Sequence, residues 1–250
     1  RSALVPFCLG PYAVRSSPGR AALERALKRP GSDAAWVGWG FVAEDPGFAE
    51  MCDRIGVTFI GPSAIAMRRL GDKIGSKLLA EEVGVPVAPW SRGAVDDIEA
   101  AHAAAKRIGY PLMLKATAGG GGRGIRMVTS DDDLSDAFGR TRDEAQRAFG
   151  SGVVFLERLV TGARHVEVQV IGDGQGTARA LGVRDCSARR RNQKAIDESA
   201  SPVLDDLPVA DLEGQAERAT LAAHALAAAT LPILYHPWSI TFAVPQVATV

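Results

Sequence analysis

Lys115-Ala-Thr-Ala-Gly-Gly-Gly-Gly-Arg-Gly124 lies between two short apolar runs, residues 110–114 and 125–129. Its four consecutive glycines permit backbone φ values that other residues avoid, so that successive N–H groups can converge on one anion. Lys115 and Arg123 place a positive charge at each edge of this segment, called here the glycine loop. A plain hairpin turn needs only about two residues. The pattern of strand, glycine loop and strand therefore predicts a phosphate-binding site.

The composition of the chain excludes several classes of protein. Its 250 residues, 46% of them hydrophobic, suffice for one large or two smaller domains. A net charge of zero gives no electrostatic footprint for nucleic acid or an anionic membrane. Cys8, Cys52 and Cys186 lie far apart with no metal-like spacing, and their odd number argues against a disulfide framework. Because no apolar run is as long as a membrane span, we predict a soluble, cytoplasmic protein. The chain begins with Arg1 rather than methionine, so we expect its true N-terminus to be missing.

The first clear secondary structure lies between residues 34 and 60. Asp45-Pro46 is typical of the start of a helix, and Gly56 is typical of its end. Short apolar strands are predicted on either side, at 34–37 and 57–60. Strand, helix and strand at this spacing predict a parallel αβ layer.

Residues 88–160 are predicted to form a compact α+β unit with the glycine loop at its edge. Within this unit, Ser130 and Asp133 have the spacing of a capping box, which predicts a helix that ends near Phe149. Further along the chain, the alanine-rich run 222–229 predicts another helix.

The segment Arg164–Ile171 alternates strictly between polar and apolar residues, as a half-buried strand does. His165, Glu167 and Gln169 share one face of it. This face either lines a binding site or lies in solvent, and the alternation fits both interpretations.

The segment Arg184–Lys194 contains five cations in eleven residues. A charged run of this kind usually lies on a solvated surface. Here it follows a buried-looking strand and includes the compact set Arg191, Asn192, Gln193 and Lys194. A pocket for bicarbonate, a carboxylate or a phosphate is therefore a second interpretation.

Several motifs in a fixed order resemble those of one family. They are Trp39-Gly-Phe-Val-Ala-Glu44, Phe59-Ile-Gly-Pro-Ser63, Gly71-Asp-Lys-Ile74, the glycine loop, Phe155-Leu-Glu157, Arg164-His-Val-Glu-Val-Gln169, Arg184-Asp-Cys186 and Arg190-Arg-Asn-Gln-Lys194. Together they resemble biotin carboxylase, the ATP-grasp component of biotin-dependent carboxylases. Trp36-Val-Gly-Trp-Gly and Pro89-Trp-Ser91 look closest to the multidomain acetyl-CoA carboxylase type.

The resemblance implies α/β and α+β architecture: an ATP-grasp fold after a partial Rossmann-like (pre-ATP-grasp) domain. The expected boundaries are 1–70 for the partial domain and 71–250 for an ATP-grasp domain that is incomplete at its C-terminus, with a lid at about 88–160. The implied reaction consumes ATP and bicarbonate to form carboxyphosphate, which carboxylates biotin on a carrier protein. This is the first half-reaction of acyl-CoA carboxylation, used in fatty acid biosynthesis. The implied partners are a biotin carrier domain, a carboxyltransferase and a second copy of the chain.

The resemblance also assigns roles to individual residues. Lys194 matches the lysine that binds bicarbonate, and Arg191 is expected beside it as a second catalytic residue. ATP is expected to contact residues that match the family's nucleotide-binding positions: Lys73, Lys115, Gly119, Gly120, Gly121, Gly122, Arg123, Gly124, Glu157, Arg158, Val160, His165 and Asn192. Of these, Glu157, Arg158 and Val160 are expected on the hinge strand that meets the adenine.

The C-terminal part departs from the family pattern. The two positions expected to hold magnesium-binding glutamates are Pro232 and Gln246, and neither side chain replaces a carboxylate. Arg189 also replaces a glutamine of the family's pocket. We therefore expect no metal site and no activity from this polypeptide alone. Two explanations stay open: a fragment of an ordinary carboxylase with an altered tail, or a non-catalytic paralogue that binds nucleotide. A different ATP-grasp carboxylate–amine ligase is disfavoured by residues 190–194.

Overall fold

The computed structural model describes residues 17–28, 31–38, 42–43, 45–118, 124–190, 193–201, 204–224, 226–236 and 239–242. Five predicted site residues of the glycine loop, at 119–123, lie outside this part of the chain. Arg191, Asn192 and Gln246 do so as well. The roles predicted for these positions stay predictions.

The described helices are α1 (Ser17–Lys28), α2 (Pro46–Ile55), α3 (Ala64–Gly71), α4 (Lys73–Glu82), α5 (Ile98–Ile108), α6 (Asp131–Phe149) and α7 (Asp206–Ala222). The described strands are β1 (Ala34–Ala35), β2 (Thr58–Phe59), β3 (Leu112–Ala116), β4 (Ile125–Val128), β5 (Val154–Arg158), β6 (Arg164–Asp173), β7 (Ala178–Asp185), β8 (Arg189–Arg190), β9 (Gln193–Lys194), β10 (Glu198–Ser199), β11 (Leu226–His236) and β12 (Ser239–Phe242). None of the helices in this part of the chain has the length and apolarity needed to cross a bilayer.

The first layer is the predicted strand–helix–strand unit. Strands β1 and β2 pair in parallel, with α2 between them in sequence. Asp45 caps α2 by accepting a hydrogen bond from the Phe48 amide at 2.9 Å, and Gly56 ends the helix at a φ of 73°. Phe48 and Cys52 are buried on the inner face of α2. The prediction of a parallel αβ layer is confirmed.

The second layer is an antiparallel sheet in the order β4-β3-β5. The glycine loop connects β3 and β4, which pair with Lys115 opposite Ile125. Helices α5 and α6 cover the sheet and share its apolar core, which includes Leu114, Leu134 and Leu156. The two sides of the loop are therefore fixed by a packed sheet.

The third layer is an antiparallel sheet in the order β10-β7-β6-β11-β12. Strand β11 pairs with β6 along ten residues, from Leu226 opposite Asp173 to Tyr235 opposite Arg164. Helix α7 packs on β6 and β7, where Leu212 is fully buried.

The helix predicted at residues 222–229 is wrong. Helix α7 ends at Ala222, and β11 begins at Leu226. Alanine's helix propensity is worth less than about 1 kcal/mol per residue. Pairing with β6 supplies a full set of interstrand hydrogen bonds, and it buries Ala229 to 2% exposure. Tertiary pairing therefore overrides the local preference.

Candidate functional site

The centre of the candidate site is the carboxylate of Glu157, which two lysines share. Lys115 forms an ion pair with Oε1, and Lys77 lies 2.8 Å from Oε2. The Glu157 side chain is 12% exposed, that of Lys77 1% and that of Lys115 25%. Burial alone would raise the pKa of Glu157, but the charges of Lys115 and Lys77 outweigh it and hold this pKa below its ordinary value. The carboxylate is therefore ionised.

Lys73 lies beside this pair. Its ammonium donates a hydrogen bond to the carbonyl oxygen of Ala116 at 3.0 Å. Burial lowers the pKa of Lys73 to about 8, the nearby charge of Lys115 adds to this, and Glu157 opposes it. Lys73 thus adds a third ammonium group beside the two that pair with Glu157.

The register of two strands and the pitch of one helix create this cluster. Met113 lies opposite Glu157 in the β3–β5 pair. Lys115, two residues after Met113, is therefore the diagonal neighbour of Glu157 on the same face of the sheet. Lys73 and Lys77 are four residues apart on α4 and therefore share one face of that helix. Asp72 caps α4 by accepting from the Ile74 amide at 3.1 Å. The start of α4 is thereby fixed where Lys73 reaches β3.

Gly124 fixes the second edge of the glycine loop. Its φ is +67°, its carbonyl accepts from the Ala116 amide at 2.7 Å, and its amide donates to Oε1 of Glu144 at 3.2 Å. A Cβ at this position would lie 2.8 Å from the Cβ of Ala116. Backbone conformation and close packing therefore both require glycine here.

Gly124→Ala is expected to lower the free energy of unfolding by about 2–4 kcal/mol, from left-handed strain and overpacking together. Gly150→Ala is the matched control, because Gly150 has a φ of +75° but nothing within 4 Å of its added Cβ. It should cost only the strain, about 1–2 kcal/mol. Urea unfolding of both variants measures the difference, and equal losses would contradict the role of the Ala116 contact.

The predicted adenine-side residues lie at the end of β5. Arg158 donates its amide to the Pro89 carbonyl at 2.7 Å, and its guanidinium donates to the Ile108 carbonyl at 3.3 Å. Val160 is half-buried just beyond the strand. Arg158 directly follows Glu157 in sequence, and Val160 lies three residues after Glu157. Their contact with adenine stays a prediction.

A second cluster surrounds Glu167 on β6, whose side chain is 5% exposed. Lys194 forms an ion pair with its Oε1, and Arg184 lies 3.2 Å from its Oε2. His165, on the same face, is half-buried; its amide donates to the Ser187 hydroxyl at 3.0 Å. The polar face of β6 therefore carries a buried carboxylate, Glu167, that pairs with both Arg184 and Lys194.

Two family models match the chain. Residues 72–249 match the family model "Carbamoyl-phosphate synthase L chain, ATP binding domain", and residues 6–67 match "Biotin carboxylase, N-terminal domain". This chain belongs to the biotin carboxylase family.

Known proteins of the family resemble the chain in sequence and structure. Biotin carboxylase 1 of Bacillus subtilis is 40% identical over 92% of the chain and 51% of the relative. Biotin carboxylase of Pseudomonas aeruginosa is 42% identical over 91% of the chain and 51% of the relative. A crystal structure titled as a biotin carboxylase–ATP complex, from Campylobacter jejuni, superposes with a TM-score of 0.88 at 40% identity, covering 94% of this chain and 54% of that one. The chain spans about half the length of these relatives.

The ATP-grasp fold expected for this biotin carboxylase family member is shown by these neighbours. The biotin carboxylase domain of the Hydrogenobacter thermophilus 2-oxoglutarate carboxylase has a TM-score of 0.87 at 35% identity, over 92% of this chain and 51% of that one. That structure is of a domain dimer in complex with MgADP, ADP and bicarbonate.

A divalent cation does not fit the residues that the structure describes in this family member. Pro232 lies opposite Glu167 in the β6–β11 pair, and both oxygens of Glu167 contact cationic side chains. Across the described ranges, no group of three His, Cys, Asp or Glu side chains could hold a metal ion. Magnesium prefers several oxygen ligands at once, so no chemical step is assigned to a metal here.

Lys77 and Trp90 are not among the site residues that the sequence predicted. The Lys77 ammonium lies 5.5 Å from the centre of the Trp90 ring, and the Trp90 indole N–H donates to Oε1 of Glu81 at 3.0 Å. The available signal was the spacing of four residues between Lys73 and Lys77, which puts both on one helix face. Burial of a lysine cannot be read from that spacing.

Proposed function

We propose that this chain is the ATP-binding part of a biotin carboxylase, an ATP-dependent ligase in which ATP and bicarbonate form carboxyphosphate and biotin on a carrier protein is then carboxylated. The observation that carries this proposal is the pairing of Lys77 and Lys115 with the single carboxylate of Glu157, together with Lys73, which lies beside them on the Ala116 carbonyl. These ammonium groups lie directly beside the glycine loop. Preorganised cations in a partly buried site are what phosphoryl transfer requires.

Lys73 and Lys115 are proposed to bind the nucleotide phosphates, and Lys194 to bind bicarbonate. In the structure the ammonium of Lys194 is paired with Glu167. Bicarbonate would therefore either share Lys194 with the Glu167 carboxylate or replace that carboxylate as the partner of Lys194. Arg191, Asn192 and residues 119–123 are proposed to complete the two sites.

The division into domains is part of the proposal: a partial pre-ATP-grasp domain at 1–70 and an ATP-grasp domain at 71–250, with a lid at about 88–160. Separate apolar cores support it. One core contains Leu23 and Val57, and another lies between Val95 and Leu156. A third joins β6, β7, β11 and α7.

Acetyl-CoA as the acyl substrate of the whole assembly is a finer proposal, supported by Trp36-Val-Gly-Trp-Gly and Pro89-Trp-Ser91. Relatives named as carboxylases of other substrates also match: the propionyl-CoA carboxylase alpha chain of Ruegeria pomeroyi is 41% identical over 72% of the chain. We also propose that the chain works with a biotin carrier domain and a carboxyltransferase. A homodimer and a cytoplasmic location are further parts of this proposal.

ATP binding by the wild-type chain, measured by isothermal titration calorimetry, tests the nucleotide site. Lys115→Met is expected to weaken binding about 10- to 100-fold, because a charged hydrogen bond to phosphate is worth about 1.5–3 kcal/mol. Lys28→Met is the matched control, since Lys28 lies on α1, is 55% exposed and forms an ion pair with Glu24. Undetectable ATP binding by the wild-type chain would reject the proposal.

The reaction is tested on the intact parent protein by measuring ATP hydrolysis with and without bicarbonate and biotin. Stimulation by both is expected, and its absence would rule out a carboxylase. For the 250-residue chain alone, no magnesium-ATP turnover is expected, since Pro232 occupies a position where the family pattern has a glutamate.

A second candidate is a nucleotide-binding module without catalysis. The contact that favours it is the pairing of Pro232 with Glu167, where a second carboxylate would be needed for a metal. The double variant Pro232→Glu/Gln246→Glu separates the candidates. Magnesium-dependent ATP binding should return if only the ligands were lost, and it should stay absent if the fold has diverged further.

A further inference from the structure

We propose that Lys77 is a positioning residue of the nucleotide site: it holds one oxygen of Glu157 so that Lys115 can leave the other oxygen and bind phosphate. This inference rests on the proposed ATP site. Nothing in the sequence motifs assigns a role to Lys77.

The two lysines on Glu157 differ in access to solvent. Lys77 is 1% exposed and lies on Oε2 at 2.8 Å, while Lys115 is 25% exposed and lies on Oε1. A ligand entering beside the glycine loop can therefore reach Lys115, whereas Lys77 is enclosed. Only Lys115 is placed to change partners.

Such a change would be unfavourable without Lys77. Glu157 is 12% exposed, and leaving a buried carboxylate without a counter-charge is strongly destabilising. With Lys77 on Oε2, the carboxylate keeps one full ion pair when Lys115 moves to a phosphate. Lys77 thus lowers the cost of releasing Lys115.

Lys77 is itself held from two directions. The Trp90 ring lies under its ammonium at 5.5 Å, and Trp90 is fixed by its hydrogen bond to Glu81, one turn along α4 from Lys77. The backbone of Trp90 also forms a bridge with that of Glu157. These contacts keep the Lys77–Glu157 pair in place independently of Lys115.

The first test measures Lys115 directly, without nucleotide. Acylation of its amine by a small N-hydroxysuccinimide ester is followed by mass spectrometry in the wild type and in Lys77→Met. In the variant, Lys115 becomes the only lysine in the described part of the chain that forms an ion pair with Glu157. Its labelling should therefore slow at least threefold, while labelling of Lys28 stays unchanged. Unchanged or faster labelling of Lys115 would overturn the proposal, even if the chain binds no ATP.

The second test uses binding of inorganic tripolyphosphate, which lacks the adenine that Glu157 is predicted to approach. Lys77→Met should weaken binding at least tenfold, and Lys77→Arg, which keeps the charge, should restore it to within threefold of the wild type. Adding Glu157→Gln to Lys77→Met should remove most of the loss. A loss that persists in that double variant would show that Lys77 acts only through packing. Failure of the wild type to bind either ATP or tripolyphosphate would instead reject the nucleotide site itself.

Discussion

Glu157→Ala is expected to lower the free energy of unfolding by about 3–5 kcal/mol, because it leaves the ammonium of Lys77 buried without a counter-charge. Lys77 is 1% exposed, and Glu157 is the carboxylate that pairs with it in the structure. Lys115 also loses its partner, but its side chain is 25% exposed and can turn toward water. Most of the loss therefore comes from Lys77. Chemical denaturation of the two proteins at pH 7 measures it.

Glu24→Ala is the matched control for this prediction. Glu24 also binds two cations, Lys28 at 2.7 Å and Arg54 at 3.0 Å, but both partners are more than half exposed. Exposed ion pairs contribute about 0–1 kcal/mol, so the control should change stability little. The double variant Lys77→Met/Glu157→Ala should recover much of the lost stability. Equal losses in Glu24→Ala and Glu157→Ala would contradict the importance of burial.

Nucleotide affinity is expected to fall about tenfold for each pH unit above pH 8, over the range in which Lys73 loses its proton. Burial and the charge of Lys115 lower the pKa of Lys73 to about 8 in the free protein. A bound phosphate favours the charged form and raises this pKa, so binding above pH 8 takes up a proton. Titration calorimetry with ADP between pH 7 and pH 9.5 measures the slope.

Lys73→Arg is the control, because a guanidinium stays charged across this range. Its ADP affinity should be nearly independent of pH between 7.5 and 9.5. A flat profile in the wild type would show that Lys73 does not contact phosphate. The same pKa shift acts on stability in the opposite direction: between about pH 8 and the unfolded pKa, the folded state binds fewer protons, so this group makes the protein more stable as pH rises.

Local signals along the sequence were sufficient for much of the fold. Asp45 caps the start of α2 and Gly56 ends it. At the start of α6, the Ser130 hydroxyl accepts a hydrogen bond from the Asp133 amide. These predictions succeeded because a cap depends on residues within one turn of each other. The strands on either side of the glycine loop were predicted for a similar reason, since they are apolar and adjacent in sequence.

The helix prediction for the alanine-rich run was wrong because the conformation of this run depends on a strand more than fifty residues away. Residues 226–229 pair with 170–173 of β6, and no local pattern of alanines encodes that partner. For the same reason, the sequence did not decide whether the polar face of β6 lines a site or lies in solvent. The exposure of this face depends on Arg184 and Lys194, which lie on other strands.

The sequence by itself determined the family motifs, the capped helices, the glycine loop and the residue types at the predicted phosphate and metal positions, including Pro232. The tertiary structure alone decided that Lys77 and Lys115 share Glu157 and that Lys194 is paired with Glu167. Which charged side chains pair with each other depends on their distances and their burial in the folded structure. Residue spacing along the chain specifies neither quantity once the partners lie on different strands and helices.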